Sequence, residues 1–177
     1  MQIQFTPFPE LFTERLHLRQ LAFSDEQEIY IQRSDARILK YIDRPKANNL
    51  EDAREFIQKI CTNIAENQSI YWAITLKNNP MLIGTICLWN IEPEKSSVEI
   101  GYSLHPDFQG KGYMQEALDV VVDYAFEVMQ AKTIEAFTNP ANAASIRLLQ
   151  KNNFICTGEL EGYLVFMRSS SASAPAQ

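Results

Sequence analysis

One stretch of the sequence, Ser97 to Ala117 (SVEIGYSLHPDFQGKGYMQEA), limits the possible folds of this chain more than any other. Its pattern predicts a strand that ends near Leu104, a turn at His105-Pro106-Asp107, and a glycine loop that leads directly into a long helix. The glycines let the backbone approach a ligand closely. The first N–H groups of a helix have no partners within it and lie at the positive end of its dipole. The stretch therefore predicts a pyrophosphate site, with Lys111 adding a positive charge at its mouth.

The two best-known phosphate-binding motifs do not fit this loop. A dinucleotide-binding fingerprint needs a glycine three residues after Gly112, where Gln115 stands. A P-loop needs Gly-Lys followed by serine or threonine, whereas Lys111 is followed by glycine. A glycine turn that only starts a helix is the structural alternative.

Hydrophobic periodicity along the rest of the chain predicts one α/β domain over residues 1–168. The three central predicted strands are separated by short turns, which favours an antiparallel meander. Residues 169–177 (SSSASAPAQ) offer nothing to bury in a core, so we expect a disordered tail there. The predicted strands are 15–21, 71–76, 82–90, 98–104, 133–138, 154–158 and 163–168, and the predicted helices are 26–34, 50–65, 113–130 and 143–152.

Composition indicates an ordinary globular protein. Of the 177 residues, 46% are hydrophobic, and the formal net charge is only -6, which excludes a disordered chain. No apolar run approaches the roughly 20 residues of a membrane span, and the first ten residues lack the pattern of a secretory signal. The sequence pI near 5.0 argues against a nucleic-acid-binding protein. An acidic surface fits a cationic acceptor, but it is also usual among cytoplasmic proteins.

The cysteines and histidines predict neither a disulfide framework nor a metal site. Cys61, Cys87 and Cys156 are odd in number and widely spaced, and only His17 and His105 accompany them. We therefore expect a reducing, cytoplasmic setting and no bound metal.

The order Q-x-x-G-x-(G/A), which follows a strand and opens a helix, resembles the acetyl-CoA-binding motif of the GNAT superfamily of N-acetyltransferases. The resemblance runs from about Thr13 to Arg168 and is strongest to ribosomal-protein N-terminal acetyltransferases. It implies a mixed, mostly antiparallel sheet of about six to seven strands flanked by about four helices. The further matches, in chain order, are T-E-R-L-x-L-R at Thr13 to Arg19, I-G-x-I at Ile83 to Ile86, E-I-G-Y-x-L at Glu99 to Leu104, and N-x-x-S-x-x-L at Asn142, Ser145 and Leu148.

The resemblance implies a role for each matching position in binding acetyl-CoA. Backbone groups of the predicted strand 98–104 would pair with the pantetheine arm, and the glycine loop would hold the pyrophosphate. The start of the predicted helix 143–152 would add two contacts. Met114 stands where the family usually has glycine or alanine, and we expect its side chain to turn into the core. The implied cofactor-binding residues are Tyr102, Ser103, Leu104, Gln109, Gly110, Lys111, Gly112, Tyr113, Met114, Asn142 and Ser145.

Acetyl transfer to an amine needs a base for the amine, a donor to the oxyanion and a proton for the leaving thiolate. Alternation along the strand places Glu99 and Gly101 on one face. Glu99 could accept the amine proton; the alternative is that it is a solvent-exposed carboxylate on the strand face with no catalytic role. The superfamily often uses a carboxylate near this position, which implies that Glu99 is the base. The backbone N–H of Leu104 is the expected oxyanion donor.

The predicted helix 143–152 supplies the candidate acid, but the polar residues at its start also have a purely structural explanation. Asn142 follows Pro140 and precedes a helical run, so it is also a good N-cap. Many superfamily members protonate the thiolate with a tyrosine, whose place is filled here by Leu149. That leaves Ser145 or water as the acid, with simple helix-end solvation as the alternative for Ser145.

The acceptor is the least specified part of the prediction. By resemblance it is an α-amine at a protein or peptide N-terminus; a small polycationic amine, such as a polyamine or aminoglycoside, is the enzymatic alternative. A non-catalytic acyl-CoA-binding sensor is the alternative from another class. The segment Gly158 to Tyr163 is short for the family, which suggests an open or partner-completed acceptor site, and a homodimer is plausible. The aromatic residues that could line that site, or belong to the core instead, are Tyr41, Trp72, Trp89 and Tyr163.

Overall fold

The computed structural model describes residues 1–170, in which one eight-stranded sheet carries helices on both faces. The strands are β1 Leu11–Phe12, β2 Leu16–Gln20, β3 Ile70–Leu76, β4 Asn79–Glu92, β5 Ser97–Leu104, β6 Thr133–Thr138, β7 Ile155–Leu160 and β8 Tyr163–Ser169. The α-helices are α1 Glu26–Ser34, α2 Ala36–Leu39, α3 Leu50–Ala65, α4 Tyr113–Asp123 and α5 Ala143–Lys151.

The sheet has the order β1-β2-β3-β4-β5-β6-β8-β7, and every neighbouring pair is antiparallel except β5 and β6. Strands β3, β4 and β5 form a meander, because only short turns separate them, whereas β2 is joined to β3 through α1, α2 and α3. A parallel partner for β5 requires a crossover, which α4 supplies. The predicted fold class is confirmed, with eight strands and five α-helices in residues 1–170 instead of about six to seven strands and about four helices.

The differences from the predicted elements arise from length and local geometry. β1 has two residues and α2 has four, too few to show a period. The turn between β3 and β4 needs only Lys77 and Asn78, so pairing begins at Asn79 instead of Leu82. The helix predicted over 113–130 ends its α-helical part at Asp123 and continues as a π turn over Tyr124–Val128.

The two faces of the sheet pack against different helices. On one face, Tyr71 of β3 meets Phe56 of α3 edge to face, with ring centroids 5.7 Å apart. On the opposite face, fully buried Trp72 meets Tyr124 of the π turn at 5.3 Å. Alternation along the strands therefore assigns α1 and α3 to one face and α4 with α5 to the other. Trp72 is a core residue whose Nε1 donates to Pro9 O at 2.7 Å, so it does not line a pocket.

The C-terminal strand runs slightly beyond its predicted end. β8 includes Ser169, and the backbone N–H of Ser170 donates to Lys132 O at 2.9 Å. The remainder of the predicted tail, residues 171–177, lies outside the described residues. Over residues 1–170, no helix is both long and apolar enough to cross a membrane.

A buried ion pair fixes the start of α1 against β2. Two nitrogens of Arg19 donate to the two carboxylate oxygens of Asp25 at 2.7 and 2.8 Å, and the Asp25 side chain is only 6% exposed. The Arg19 guanidinium also donates to Pro80 O, which ties the β3–β4 turn to the same corner. The backbone N–H of Ala22 donates to Asp25 as well. Removing either charge would leave the other buried without a partner, which is costly.

We expect Arg19→Met to lower the free energy of unfolding by about 3 kcal/mol, because it keeps the aliphatic packing but leaves the buried Asp25 carboxylate without its positively charged partner. Chemical denaturation measures this loss. The matched control is Arg37→Met, which removes an exposed partner of Asp35 and should change stability little. Equal effects of the two substitutions would contradict the structural importance of the Arg19–Asp25 pair.

Candidate active site

The central gap in the sheet arises where β5 and β6 separate. The two strands pair through only three residues each, Ser97–Glu99 with Thr133–Glu135. Beyond these pairs β5 continues to Leu104 along β4, while β6 continues to Thr138 along β8. The carboxyl-terminal half of β5 therefore has a partner on one side only, in the middle of the sheet.

The direction of the β5 backbone groups follows from its pairing with β4. The N–H of His105 donates to Ile83 O at 2.8 Å, which makes these two residues a hydrogen-bonded pair. Hydrogen-bonded and non-bonded pairs alternate in an antiparallel ladder. The N–H and C=O groups of Tyr102 and Leu104 therefore point away from β4 into the gap, while those of Ser103 point toward β4. The structure thus turns two of the three predicted pantetheine-binding residues toward the gap and Ser103 away from it.

The Ser103 side chain forms hydrogen bonds on the face of the sheet that packs against α1. Its hydroxyl is buried, donates to Gln32 Oε1 at 2.9 Å and lies 3.2 Å from Thr85 Oγ1. These contacts attach β5 to α1. Ser103 therefore supports the strand from the face opposite Tyr102.

The glycine loop leads from the end of β5 to the start of α4, as the sequence pattern predicts. Gly110 and Gly112 have φ angles of 74° and 81°, in the left-handed region that favours glycine. Gln109 Nε2 donates to Leu104 O at 2.9 Å, which closes the loop onto the strand. Gly112 is the N-cap of α4, so the unpaired N–H groups of the first turn open beside the exposed glycines. Lys111 and Met114 do not leave their side chains free beside the glycines. The Met114 side chain, in the first turn of α4, is buried in the core, as expected, and Lys111 Nζ donates to Asp107 O.

A clamp from β2 and α4 holds this loop in place. The Arg15 guanidinium donates to Lys111 O at 3.0 Å and to Glu116 Oε2 at 2.8 Å. Glu116 also accepts from the backbone N–H of Arg15 and from the Thr13 hydroxyl, and these donors help to lower the pKa of its carboxyl against the opposing effect of burial. Sequence reasoning matched Thr13 to Arg19 to a family motif but gave no contact for Arg15. The partner residues are about 100 positions apart, so no local pattern links them.

The start of α5 brings two hydroxyl groups together next to the gap. Tyr102 Oη and Ser145 Oγ share a hydrogen bond of 2.8 Å, and both residues are largely shielded from solvent. Burial raises the pKa of Tyr102 to about 12, so its phenol stays protonated at neutral pH. The Asn142 side chain accepts from the N–H of Ser145 at 3.1 Å, which confirms its role as N-cap. Leu149 is fully buried, as expected if no catalytic side chain stands at that position.

Glu99 lies half-buried on the opposite face, beside the point where β5 and β6 separate. Burial raises the pKa of its carboxyl to about 7; a hydrogen bond from Asn90 opposes this shift, and the negative charge of Glu135 adds to it. Glu135 is the parallel-strand neighbour of Glu99. Asn90 reaches Glu99 at an irregularity of β4, where Asn90 itself has a φ of 47°. A carboxyl with a pKa near 7 can take up and release a proton at neutral pH.

The surface around Glu99 is open and partly aromatic. Trp89 pairs with Glu99 across β4 and β5 and is 46% exposed, although it lies near the centre of the sheet. A Cβ built at Gly101 would meet Cys87 Sγ at 3.3 Å and Trp89 Nε1 at 3.6 Å, so the glycine lets the thiol and the indole pack close to the β5 backbone. Of the four aromatic candidates, Trp89 has the position that a pocket would need. Within residues 1–170 no group of three or more potential metal ligands is found.

The comparisons with known proteins agree with this geometry. The family model described as acetyltransferase (GNAT) domain matches residues 15–155. A curated relative, the uncharacterized N-acetyltransferase p20 of Bacillus licheniformis, is 34% identical over 153 residues, or 86% of each chain.

Two solved structures share the fold over nearly all of the chain. The ribosomal-protein-S5-alanine acetyltransferase of Vibrio fischeri has a TM-score of 0.82 and 22% identity, covering 94% of this chain and all of that one. The microcin C7 self-immunity acetyltransferase MccE, solved with acetyl-CoA and AMP, has a TM-score of 0.79 and 19% identity, covering 89% and 94%.

Proposed function

Because the chain belongs to the GNAT acetyltransferase family, we propose that it moves the acetyl group of acetyl-CoA directly to the α-amine of a protein or peptide N-terminus. The chain is an N-acetyltransferase that uses acetyl-CoA. The observation that carries the finer proposal is the gap between β5 and β6, with Glu99 on one face and the Ser145–Tyr102 pair on the other. A thioester placed in that gap would have a base on one side and an acid on the other.

The residues present fit acetyl-CoA as a co-substrate. The backbone of Tyr102 and Leu104 offers a strand-like edge to the pantetheine arm. The pyrophosphate fits the loop from Gln109 to Gly112 and the first N–H groups of α4, where backbone donors and the helix dipole favour an anion. Ser145 contacts Tyr102 from the first turn of α5, and Asn142 caps the start of that helix. The clamp made by Arg15 and Glu116 holds the loop in position without bound ligand.

The reaction then needs proton transfers at two places, the acceptor nitrogen and the leaving sulfur. Glu99, ionised in part at neutral pH, takes a proton from the acceptor ammonium and leaves a neutral amine. The amine nitrogen forms a bond to the thioester carbonyl carbon, and the N–H of Leu104 donates to the oxyanion that develops. The nitrogen, positively charged after the attack, gives its second proton to Glu99, which has released the first to solvent. The C–S bond breaks, and Ser145 gives its proton to the thiolate. Tyr102 returns a proton to Ser145 along their hydrogen bond, and solvent restores the phenol.

The openness of the acceptor face supports a chain end as the acceptor. Trp89 is exposed beside Glu99, and all six residues of β7 are exposed, so within residues 1–170 the β7–β8 hairpin does not pack over the Glu99 face. The strongly raised pKa of Glu99 also favours an enzyme over a sensor, since a solvated carboxylate would titrate near its ordinary value. A homodimer stays a prediction. We also propose a cytoplasmic location, because the three cysteines are free thiols.

We expect Glu99→Gln to lower kcat by about 10²- to 10⁴-fold while the Kd for acetyl-CoA is unchanged, because only the proton acceptor is lost. In the wild type, kcat/KM should rise with pH and reach half its plateau near pH 7, because the base must be ionised and its pKa is about 7. Glu135→Gln is the matched control: it keeps the base and should move the midpoint to lower pH. Rates are followed by coenzyme A release with N-terminal peptides, polyamines and aminoglycosides as acceptors. Full activity of Glu99→Gln would exclude Glu99 as the base.

We expect Ser145→Ala to lower kcat by about 10²-fold at an unchanged Kd for acetyl-CoA, because the leaving thiolate loses its proton donor. Ser145→Thr keeps the hydroxyl and should retain most of the activity. Tyr102→Phe should have an intermediate effect, since water can still restore the serine proton. If Ser145→Ala and Ser145→Thr have the same rate, the acid is water.

We expect Gly110→Ala to raise the Kd for acetyl-CoA by about tenfold, because a side chain at a left-handed φ strains the loop that holds the pyrophosphate. Gly162→Ala is the matched control, since Gly162 also has a positive φ, of 84°, and open space around it, but it lies in the β7–β8 turn. Both variants should lose similar stability, and only Gly110→Ala should bind acetyl-CoA more weakly. Isothermal titration calorimetry measures the difference; equal Kd values would place the pyrophosphate elsewhere.

A further inference from the structure

Two arginines on the Glu99 face have no acidic partner. Arg33 lies in the last turn of α1, Arg44 follows α2, and both side chains are partly buried. Neither guanidinium forms an ion pair with a carboxylate anywhere in residues 1–170, whereas Arg15, Arg19 and Arg37 each do. Buried arginines are normally paired, because an isolated charge is costly to remove from water. The pair therefore needs an explanation that the folded chain alone does not give.

The hydrogen bonds of Arg44 are incomplete. Its Nη2 donates to Gln32 O at 2.6 Å, but its Nε is buried and has no hydrogen-bond partner in the described chain. A buried donor without an acceptor costs free energy that a bound acceptor would return. The unpaired Nε and the adjacent guanidinium nitrogen form the edge that binds carboxylate or phosphate in a two-pronged manner.

The neighbours of the two arginines are neutral or positive. The Arg33 guanidinium lies 4.0 Å over the Phe56 ring, which packs against Tyr71. Burial lowers the pKa of Arg33, and the charge of Arg44 adds to that shift. Burial raises the pKa of Tyr71 and of Cys87 to about 12 each, so neither side chain supplies a negative charge at neutral pH. The two positive charges thus repel each other beside neutral groups.

The arginine pair lies beside Tyr71, on the same face of the sheet as Glu99. Tyr71 lies opposite Cys87 on β3 and β4, and Cys87 lies opposite Gly101, two residues from Glu99 on β5. Two strands at about 4.8 Å and two residues at about 3.3 Å separate the backbones of Glu99 and Tyr71 by about 12 Å. A group bound at the arginines would therefore lie on the order of 10 Å from the amine held at Glu99.

We propose that Arg33 and Arg44 bind a carboxylate or phosphate carried by the acceptor several bonds away from its amine. This rests on the proposed acetyl transfer at Glu99, and it specifies the acceptor class: an amine with an oxyanion at some distance along the same molecule. In a peptide, the oxyanion is an acidic or phosphorylated side chain in the first few residues. A polyamine is disfavoured, because two uncompensated arginines would repel it.

The first test measures anion binding without turnover. In ¹H–¹⁵N spectra of the arginine Nε–Hε groups, inorganic phosphate should shift the Arg44 resonance in a saturable way, because its Nε gains an acceptor. Arg33→Met should weaken this binding. Arg37→Met is the matched control, since it removes one positive charge from neighbouring α2 but leaves the pair intact, and it should leave phosphate binding unchanged. An Arg44 signal that does not respond to phosphate would overturn the proposal.

The second test compares matched acceptors in the coenzyme A release assay. One pair is a peptide with aspartate at positions 2 to 4 and its asparagine counterpart; the other is an aminosugar phosphate and the unphosphorylated aminosugar. In the wild type, the charged member of at least one pair should have a kcat/KM about 10- to 100-fold higher, and the pair that responds identifies the source of the oxyanion. Arg33→Met and Arg44→Met should abolish this preference, while Arg37→Met should keep it.

The outcomes separate this inference from the proposed function. Equal rates for the charged and uncharged members of both pairs would overturn the inference and leave acetyl transfer in place. Saturable phosphate binding without acetylation of any acceptor would keep the anion site and count against the proposed acceptors. A preference that survives in both Arg33→Met and Arg44→Met would place recognition of the charge outside the arginine pair and overturn the inference.

Discussion

The short parallel pairing of β5 with β6 is the constraint on which the rest of the site depends. Three paired residues on each strand are enough to keep the sheet continuous, yet they leave the backbone of Tyr102 and Leu104 facing a gap. A longer pairing would fill the gap with β6 and remove the strand edge that a ligand can use. The site is thus built from main-chain groups that the fold leaves without a strand partner.

The proposed base and the proposed acid lie on different faces of the sheet. Alternation along β5 sends Glu99 toward α1 and α3 and sends Tyr102 toward α5, so the proposed base and the hydroxyl pair with the proposed acid lie on opposite sides of the same gap. Burial gives each its protonation behaviour: the pKa of Glu99 rises to about 7, and that of Tyr102 to about 12. Two neighbouring regions of one strand therefore supply a group that titrates near neutral pH and one that does not.

Much of this arrangement could be predicted from local sequence patterns, and the rest depends on contacts between distant residues. Periodicity predicted the central strands and helices, and the run from Glu99 to Met114 predicted the strand, loop and helix that form the site. The clamp between Arg15 and Glu116 and the hydroxyl pair at Tyr102 could not be predicted in this way, because each joins residues tens of positions apart. The short elements β1 and α2 escaped prediction because they carry no periodic signal.

The unpaired Nε of Arg44 lowers the stability of the folded chain, and the same nitrogen belongs to the proposed site for the oxyanion of the acceptor. A buried donor without a partner destabilises the folded chain whenever no ligand is bound, so an apolar residue of similar length would be favoured by selection for stability alone. An arginine at this position therefore costs the chain folding free energy at a single nitrogen. Thermostability screens of this protein would therefore tend to select substitutions at Arg44 and to remove, without any change at Glu99, the proposed preference for acceptors that carry an oxyanion.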